Sequence, residues 1–187
     1  MPRRIVTGHR AGKSVIVADN VPIGPIYVRS MGFSNVEFWS TPAVPVHPGP
    51  SIQAEPTGRL PGPGESQLLI VTFPPDAHFA SPDFNPVLAA AEQARLMPGI
   101  AACFEPDNPG MHRTPTVDYV IVLEGELVLE LDDGESRTIR SGDIVVQNGT
   151  RHAWRNPGDR PAVIAAILIG GVEATGLFSP GHATMST

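Results

Sequence analysis

The chain has 187 residues, 41% hydrophobic and 17% charged, with a formal net charge of -6, an ordinary balance for one globular domain with a sizeable core. No cluster of Lys and Arg is dense enough for a nucleic-acid footprint, and no stretch approaches the roughly 20 apolar residues of a membrane-spanning helix. The expectation is a soluble cytoplasmic protein that binds neither nucleic acid nor membrane.

The N-terminal MPRRIVTGHRAGKS is basic but lacks the apolar run of a secretion signal. Short strands are expected at Arg4–Val6, Ser14–Ala18, Ile26–Arg29 and Val36–Trp39, each bounded by Gly, Pro or Asn. The composition is unusual in holding 21 Pro beside 19 Gly, which favours strands and loops over helix. Much of the proline lies between Ser40 and Gly64, expected to be an extended, irregular surface connection. Gln67–Phe73 reads as a firm strand ended by Pro74 and Pro75. Asn85–Met97 is the one expected helix, with Asn85 as N-cap, Pro86 at its first position and an Ala/Leu face for packing. The single cysteine, Cys103, has no partner for an internal disulfide and reads as a partly buried thiol.

From Thr116 the pattern becomes dense in strands. VDYVIVL is followed by ELVLEL, where Leu127, Leu129 and Leu131 take one face and Glu126 and Glu130 the other. Asp133-Gly134 is a strong hairpin signal. RTIR, DIVVQ, TRHAWRN and AVIAAILIG follow, separated by Ser141-Gly142, Asn148-Gly149 and Pro157-Gly158. Short strands with turn chemistry between them point to an all-β sandwich or barrel. One domain over 1–187 is expected, with N-terminal strands and the Pro-rich loop in 1–66, a β-barrel core in 67–170 and a weakly patterned tail in 171–187.

Residues two apart on a strand share a face. In an extended chain, His112, Thr114, Thr116 and Asp118 point to one side, and Val120 and Val122 continue it. One face thus starts polar and turns apolar with depth, the profile of a ligand cavity in a small barrel. In TRHAWRN, His152 shares parity with Thr150, Trp154 and Asn156. Pairing of the two strands sets His152 opposite His112 and Asp118. Two imidazoles and a carboxylate suit a divalent ion with open positions, Fe(II), Mn(II), Ni(II) or Zn(II). Asp118 and His152 are also the candidates for acid/base chemistry. Thr114, Thr116, Val120 and Trp154 are the candidate substrate-cavity residues, with Trp154 equally suited to a core position. Tyr119 is expected to pack. Arg113, Arg151 and Arg155, on the other parity, suit a solvated face or subunit contacts, and His9, His47, His78 and His182 suit the surface.

These residues resemble the cupin superfamily. Its first motif is G-x5-H-x-H-x(3,4)-E-x6-G and its second G-x5-P-x-G-x2-H-x3-N. Asp118 and Gly125 match the E-x6-G spacing with Asp for Glu, His112 falls on the first His, and Thr114 stands at the second. Gly142, Gly149, His152 and Asn156 match the second motif, with Asn148 at the usual Pro and that step one residue shorter. The resemblance spans roughly 108–170. It implies a double-stranded β-helix (jelly-roll) barrel with an N-terminal strand extension, one short helix and a metal-capable cavity holding His112, Asp118 and His152, one ligand short of the usual set. The expected function is a metal-dependent cupin enzyme acting on a small organic acid or aromatic compound, of dioxygenase, lyase/decarboxylase or isomerase type. The alternatives are a metal-free acid/base cupin (dehydratase or epimerase) and a non-catalytic small-molecule binder. A homodimer is expected, since barrel edges and an N-terminal arm invite pairing.

Overall fold

The computed structural model describes residues 1–46 and 56–172. Strands β1 (Arg4–Arg10) and β2 (Lys13–Asn20) form an antiparallel hairpin. Its turn places Ala11 and Gly12 at φ 50° and 74°, the left-handed pair that a tight hairpin needs. The expected strand at Ile26–Arg29 is absent. The amides of Val28, Arg29 and Ser30 instead donate to the carboxylate of Glu92, at 2.8, 2.8 and 3.3 Å, so this stretch has no free N–H row to offer a ladder.

Strands β3 (Ser34–Thr41) and β4 (Ser66–Phe73) flank the Pro-rich stretch, of which residues 47–55, including His47, lie outside the described residues. Helix α1 (Pro86–Leu96) begins as expected. Asn85 Oδ1 accepts the Leu88 amide at 3.0 Å and Pro86 fills the first turn, where its missing N–H costs nothing. Its packing differs from expectation. Val87 and Leu88 are exposed, and the buried positions are Ala89 and Glu92, because the helix is held by the Glu92 carboxylate rather than by an Ala/Leu face. A second, four-residue helix α2 (Pro98–Ala101) follows.

The C-terminal half supplies β5 (Thr116–Glu124), β6 (Glu126–Glu130), β7 (Ser136–Arg140), β8 (Ile144–Asn148), β9 (Ala153–Arg155) and β10 (Ala162–Gly170). A five-stranded antiparallel sheet runs β3-β4-β10-β5-β8 and a three-stranded sheet runs β7-β6-β9. The fold is all-β, with two α-helices among the described residues. Leu69, Val71, Val120, Val122, Ile164 and Leu168 from the larger sheet meet Leu127 from the smaller, with Ile139 and Trp154 packed against them. Alternation along each strand produces this core. Gly125 turns β5 into β6 at φ 79°. A Cβ there would meet Ala162 at 3.0 Å, so backbone handedness and close approach both require glycine.

Candidate functional site

His112 and His152 lie ahead of β5 and β9 and pair with each other in an isolated bridge. His112 N–H donates to His152 O at 3.0 Å and His152 N–H to His112 O at 2.9 Å, a mutual antiparallel pair. Such a pair sends both side chains to one face, and the ring centroids are 4.4 Å apart at 49°. Phe104 stands edge-on to His112 at 4.9 Å and Trp154 edge-on to His152 at 6.0 Å. The pairing expected from parity is therefore present between the two histidines.

Their protonation follows from the surroundings. His112 Nδ1 meets Gly110 O at 3.0 Å and His152 Nδ1 meets Thr150 O at 2.9 Å. A carbonyl only accepts, so each Nδ1 carries the proton. Burial holds His112 below its ordinary pKa, with the Gly110 carbonyl opposing. Burial, then the neighbouring His112, push His152 down to about 4 against the pull of the Thr150 carbonyl. Both rings are neutral at pH 7, with their lone pairs on Nε2. Backbone carbonyls that fix a tautomer in this way also orient metal-binding histidines.

The alternation expected from His112 onward holds. His112, Thr114, Thr116, Asp118, Val120 and Val122 are all buried, and Arg113, Pro115, Val117, Tyr119 and Ile121 are less so. The Thr116 hydroxyl donates to Thr114 Oγ at 2.7 Å. Asp118 is 6% exposed, and its Oδ1 has no hydrogen-bond partner. Burial pushes its pKa up to about 6, with the Thr116 hydroxyl pulling the other way. Within its sheet Asp118 lies beside Leu168 on β10 and Gln147 on β8. Among the described residues, no three His, Cys, Asp or Glu side chains stand close enough together to share an ion. His112 and His152 meet, while Asp118 sits on the same face but apart.

Val120 belongs to the core between the sheets, and Trp154 is half-buried against that core while touching His152. Tyr119 is 44% exposed on the outer face rather than packed. The arginines of opposite parity make bonds within the chain. Arg151 pairs with Glu105 and Asp132, Arg155 with Glu130 and the Pro109 carbonyl, and Arg113 donates to Gly149 O. Of these bonds, Arg155 to the Pro109 carbonyl ties the loop before His112 to the strand after His152, and Arg151 to Glu105 ties that loop to the residue before His152. Cys103 is partly buried, and burial raises its thiol pKa, which disfavours a nucleophilic thiolate. His9 and His78 are exposed, and His182 lies outside the described residues.

Asn156, buried to 2%, acts as a latch. Its Nδ2 donates to Phe73 O and Arg160 O, its Oδ1 accepts from Gly158 N, and its backbone exchanges bonds with Asp76. Gln147 is not among the residues that the sequence singles out, although Val145 and Gln147 share a face in DIVVQ. It is buried, with its Nε2 unpartnered. A separate cleft of about 330 Å³, lined by residues including Asn35, Glu37, Arg95 and Met97, lies at the β3 edge and includes none of these groups.

The donor set suits a divalent ion in kind. Two neutral imidazoles present Nε2 lone pairs, and a buried carboxylate oxygen lacks a partner.

Residues 102–169 match the family model described as "Cupin domain". Oryzines biosynthesis cluster protein J of Aspergillus oryzae is 57% identical over 50 residues, 27% of this chain and 28% of that protein. Phomopsin biosynthesis cluster protein C' of Diaporthe leptostromiformis is 42% identical over 80 residues, 36% of this chain and 42% of that protein. The cupin-domain-containing oxidoreductase virC of Hypocrea virens is 54% identical over 46 residues, 25% of this chain and 24% of that protein. The chain thus spans less than half the length of these curated relatives. Among solved structures, a cupin domain from Bordetella pertussis is 20% identical, with TM-score 0.35, covering 57% of this chain and 82% of that one.

Proposed function

Because residues 102–169 match the cupin-domain family model, we propose that this chain is a metal-dependent cupin enzyme acting on a small organic acid or aromatic compound. The observation that carries this reading is the pair of adjacent neutral imidazoles, His112 and His152, with both Nδ1 protons tied to carbonyls. His112, His152 and Asp118 would hold Fe(II), Mn(II), Ni(II) or Zn(II), with Asp118 turning its unpartnered oxygen toward the rings. A bound ion would supply Lewis acidity and open positions for substrate oxygens. Thr114 and Thr116 would then orient the substrate at the polar end of the face, while Val120, Val122 and Trp154 exclude water at its apolar end. Relatives named as oxidoreductases and as biosynthesis-cluster proteins lend support to oxidation of a small metabolite.

A metal-free acid/base enzyme is the second reading. It is favoured by the separation of Asp118 from the histidines and by its pKa of about 6, which suits proton transfer close to neutrality. Chelation separates the two. The metal reading expects turnover of a small organic acid to vanish with chelator and return with one divalent ion, and turnover that survives chelation selects the second reading.

We also propose a homodimer, supported by Tyr119, Leu123, Ile144 and Val146, which expose apolar surface on the outer face of β5 and β8. Sedimentation velocity of the full chain expects a dimer, and a monomer at micromolar concentration would refute it.

A further inference from the structure

Gln147 is 3% exposed and lies directly across the β5–β8 ladder from Asp118. Side chains of such a pair share a face, with Cβ atoms about 5 Å apart. Val145, two residues earlier, packs into the core between the sheets, so Gln147 also points inward. Its Oε1 accepts the Thr150 hydroxyl at 2.6 Å, and the Thr150 carbonyl holds His152 Nδ1 at 2.9 Å. One loop residue thus orients both the amide and the imidazole. That contact turns Gln147 Nε2 away from Thr150, where it is buried without an acceptor. Asp118 does not serve as that acceptor, since Gln147 Nε2 has no partner at all and Asp118 Oδ1 is unpartnered too. A buried donor held in one orientation calls for an acceptor, and a ligand oxygen can supply it.

We propose that Gln147 anchors the substrate, its Nε2 donating to an oxygen of a small carboxylate or enolate ligand lying beside Asp118. The amide offers a donor toward this space, so the group it recognises is an acceptor oxygen, and a carboxylate or enolate oxygen is the strongest of these. The inference rests on the metal reading in one respect: a bound ion would offset the Asp118 charge and strengthen the hold on an anion. Gln147 is a specificity residue, choosing oxygen-bearing ligands over apolar ones of the same shape.

The test uses the Zn(II)-loaded full chain, labelled with nitrogen-15, titrated with benzoate and with toluene as its uncharged counterpart. Benzoate is expected to shift the Gln147 side-chain amide signals. Gln147→Leu is expected to weaken benzoate about tenfold or more while leaving toluene unchanged. Gln147→Glu keeps the size but replaces the donor with an acceptor, and is expected to weaken benzoate at least as much. Zn(II) affinity, read by competition with a chromophoric chelator, stays as in the wild type. Equal benzoate affinity in wild type and both variants overturns the proposal, as does wild type binding toluene as tightly as benzoate. Failure of Zn(II) to bind the wild type, with benzoate still dependent on Gln147, removes the metal reading and leaves the anchor in place.

Discussion

Replacing Asp118 with Asn in chelator-treated protein is expected to tilt the pH dependence of stability. In the folded chain the Asp118 pKa, about 6, lies above its unfolded value. Between the two values the folded state keeps a proton that the unfolded state has released, so stability falls as pH rises and the full penalty is present above about 6. His152 acts in the opposite direction. Its folded value, about 4, lies below the unfolded one, so stability rises with pH across the same window and the penalty is complete below about 4. Each shift corresponds to about 3 kcal/mol, so the two slopes nearly cancel between pH 4 and 6. The amide that replaces the carboxyl has no charge to bury. In Asp118→Asn the opposing carboxyl slope is gone, so stability should climb with pH from about pH 4 to 6.5, by about 3 kcal/mol from His152 and in the same direction from the buried His112. At about pH 7 the variant should exceed the wild type by a similar amount, a Tm gain of about 6–12 °C for a chain of this length. Urea unfolding across this pH range measures it. Parallel pH profiles for wild type and variant would refute the reasoning, because they would mean that ionising Asp118 carries no penalty where it sits.

Two further substitutions test the frame around the site. Glu92 is desolvated by the helix packing, yet three backbone amides more than offset that and its pKa is lowered overall. Glu92→Gln should cost about 2–4 kcal/mol at pH 7 in urea unfolding, and the difference should shrink as acid protonates the wild-type carboxyl; a loss that stays constant as pH falls would assign the effect to packing. Asn156→Ala should cost about 2–4 kcal/mol, since the Phe73 and Arg160 carbonyls lose their donor. Its midpoint in thermal unfolding should fall, and an unchanged midpoint would contradict the latch.

The β-rich fold and the polar face from His112 to Asp118 are legible in the sequence because strand alternation is written directly in residue types. The meeting of His112 with His152 is legible as well, through parity and the two motifs. Other features depend on which strands become neighbours, and spacing does not carry that. Asp118 faces Gln147 and Leu168 because β8 and β10 flank β5, so a site drawn as three converging ligands becomes two rings and a carboxylate further along the face. Gln147 escapes notice for the same reason, since an amide in a strand has no meaning until its partner strand is known. Ile26–Arg29 reads as a strand because its residues favour one, but the Glu92 carboxylate, 62 to 64 residues away from the amides it binds, takes those amides instead. An acidic residue inside an Ala-rich helix gives no hint of that contact.

The metal content of tag-free protein tests the central claim most directly. Elemental analysis after exposure to Fe(II), Mn(II), Ni(II) and Zn(II), followed by gel filtration, should find one divalent ion per chain, lost in His112→Ala and in His152→Ala and weakened in Asp118→Asn. Absence of stoichiometric metal from the wild type, or its retention in both histidine variants, would contradict the account.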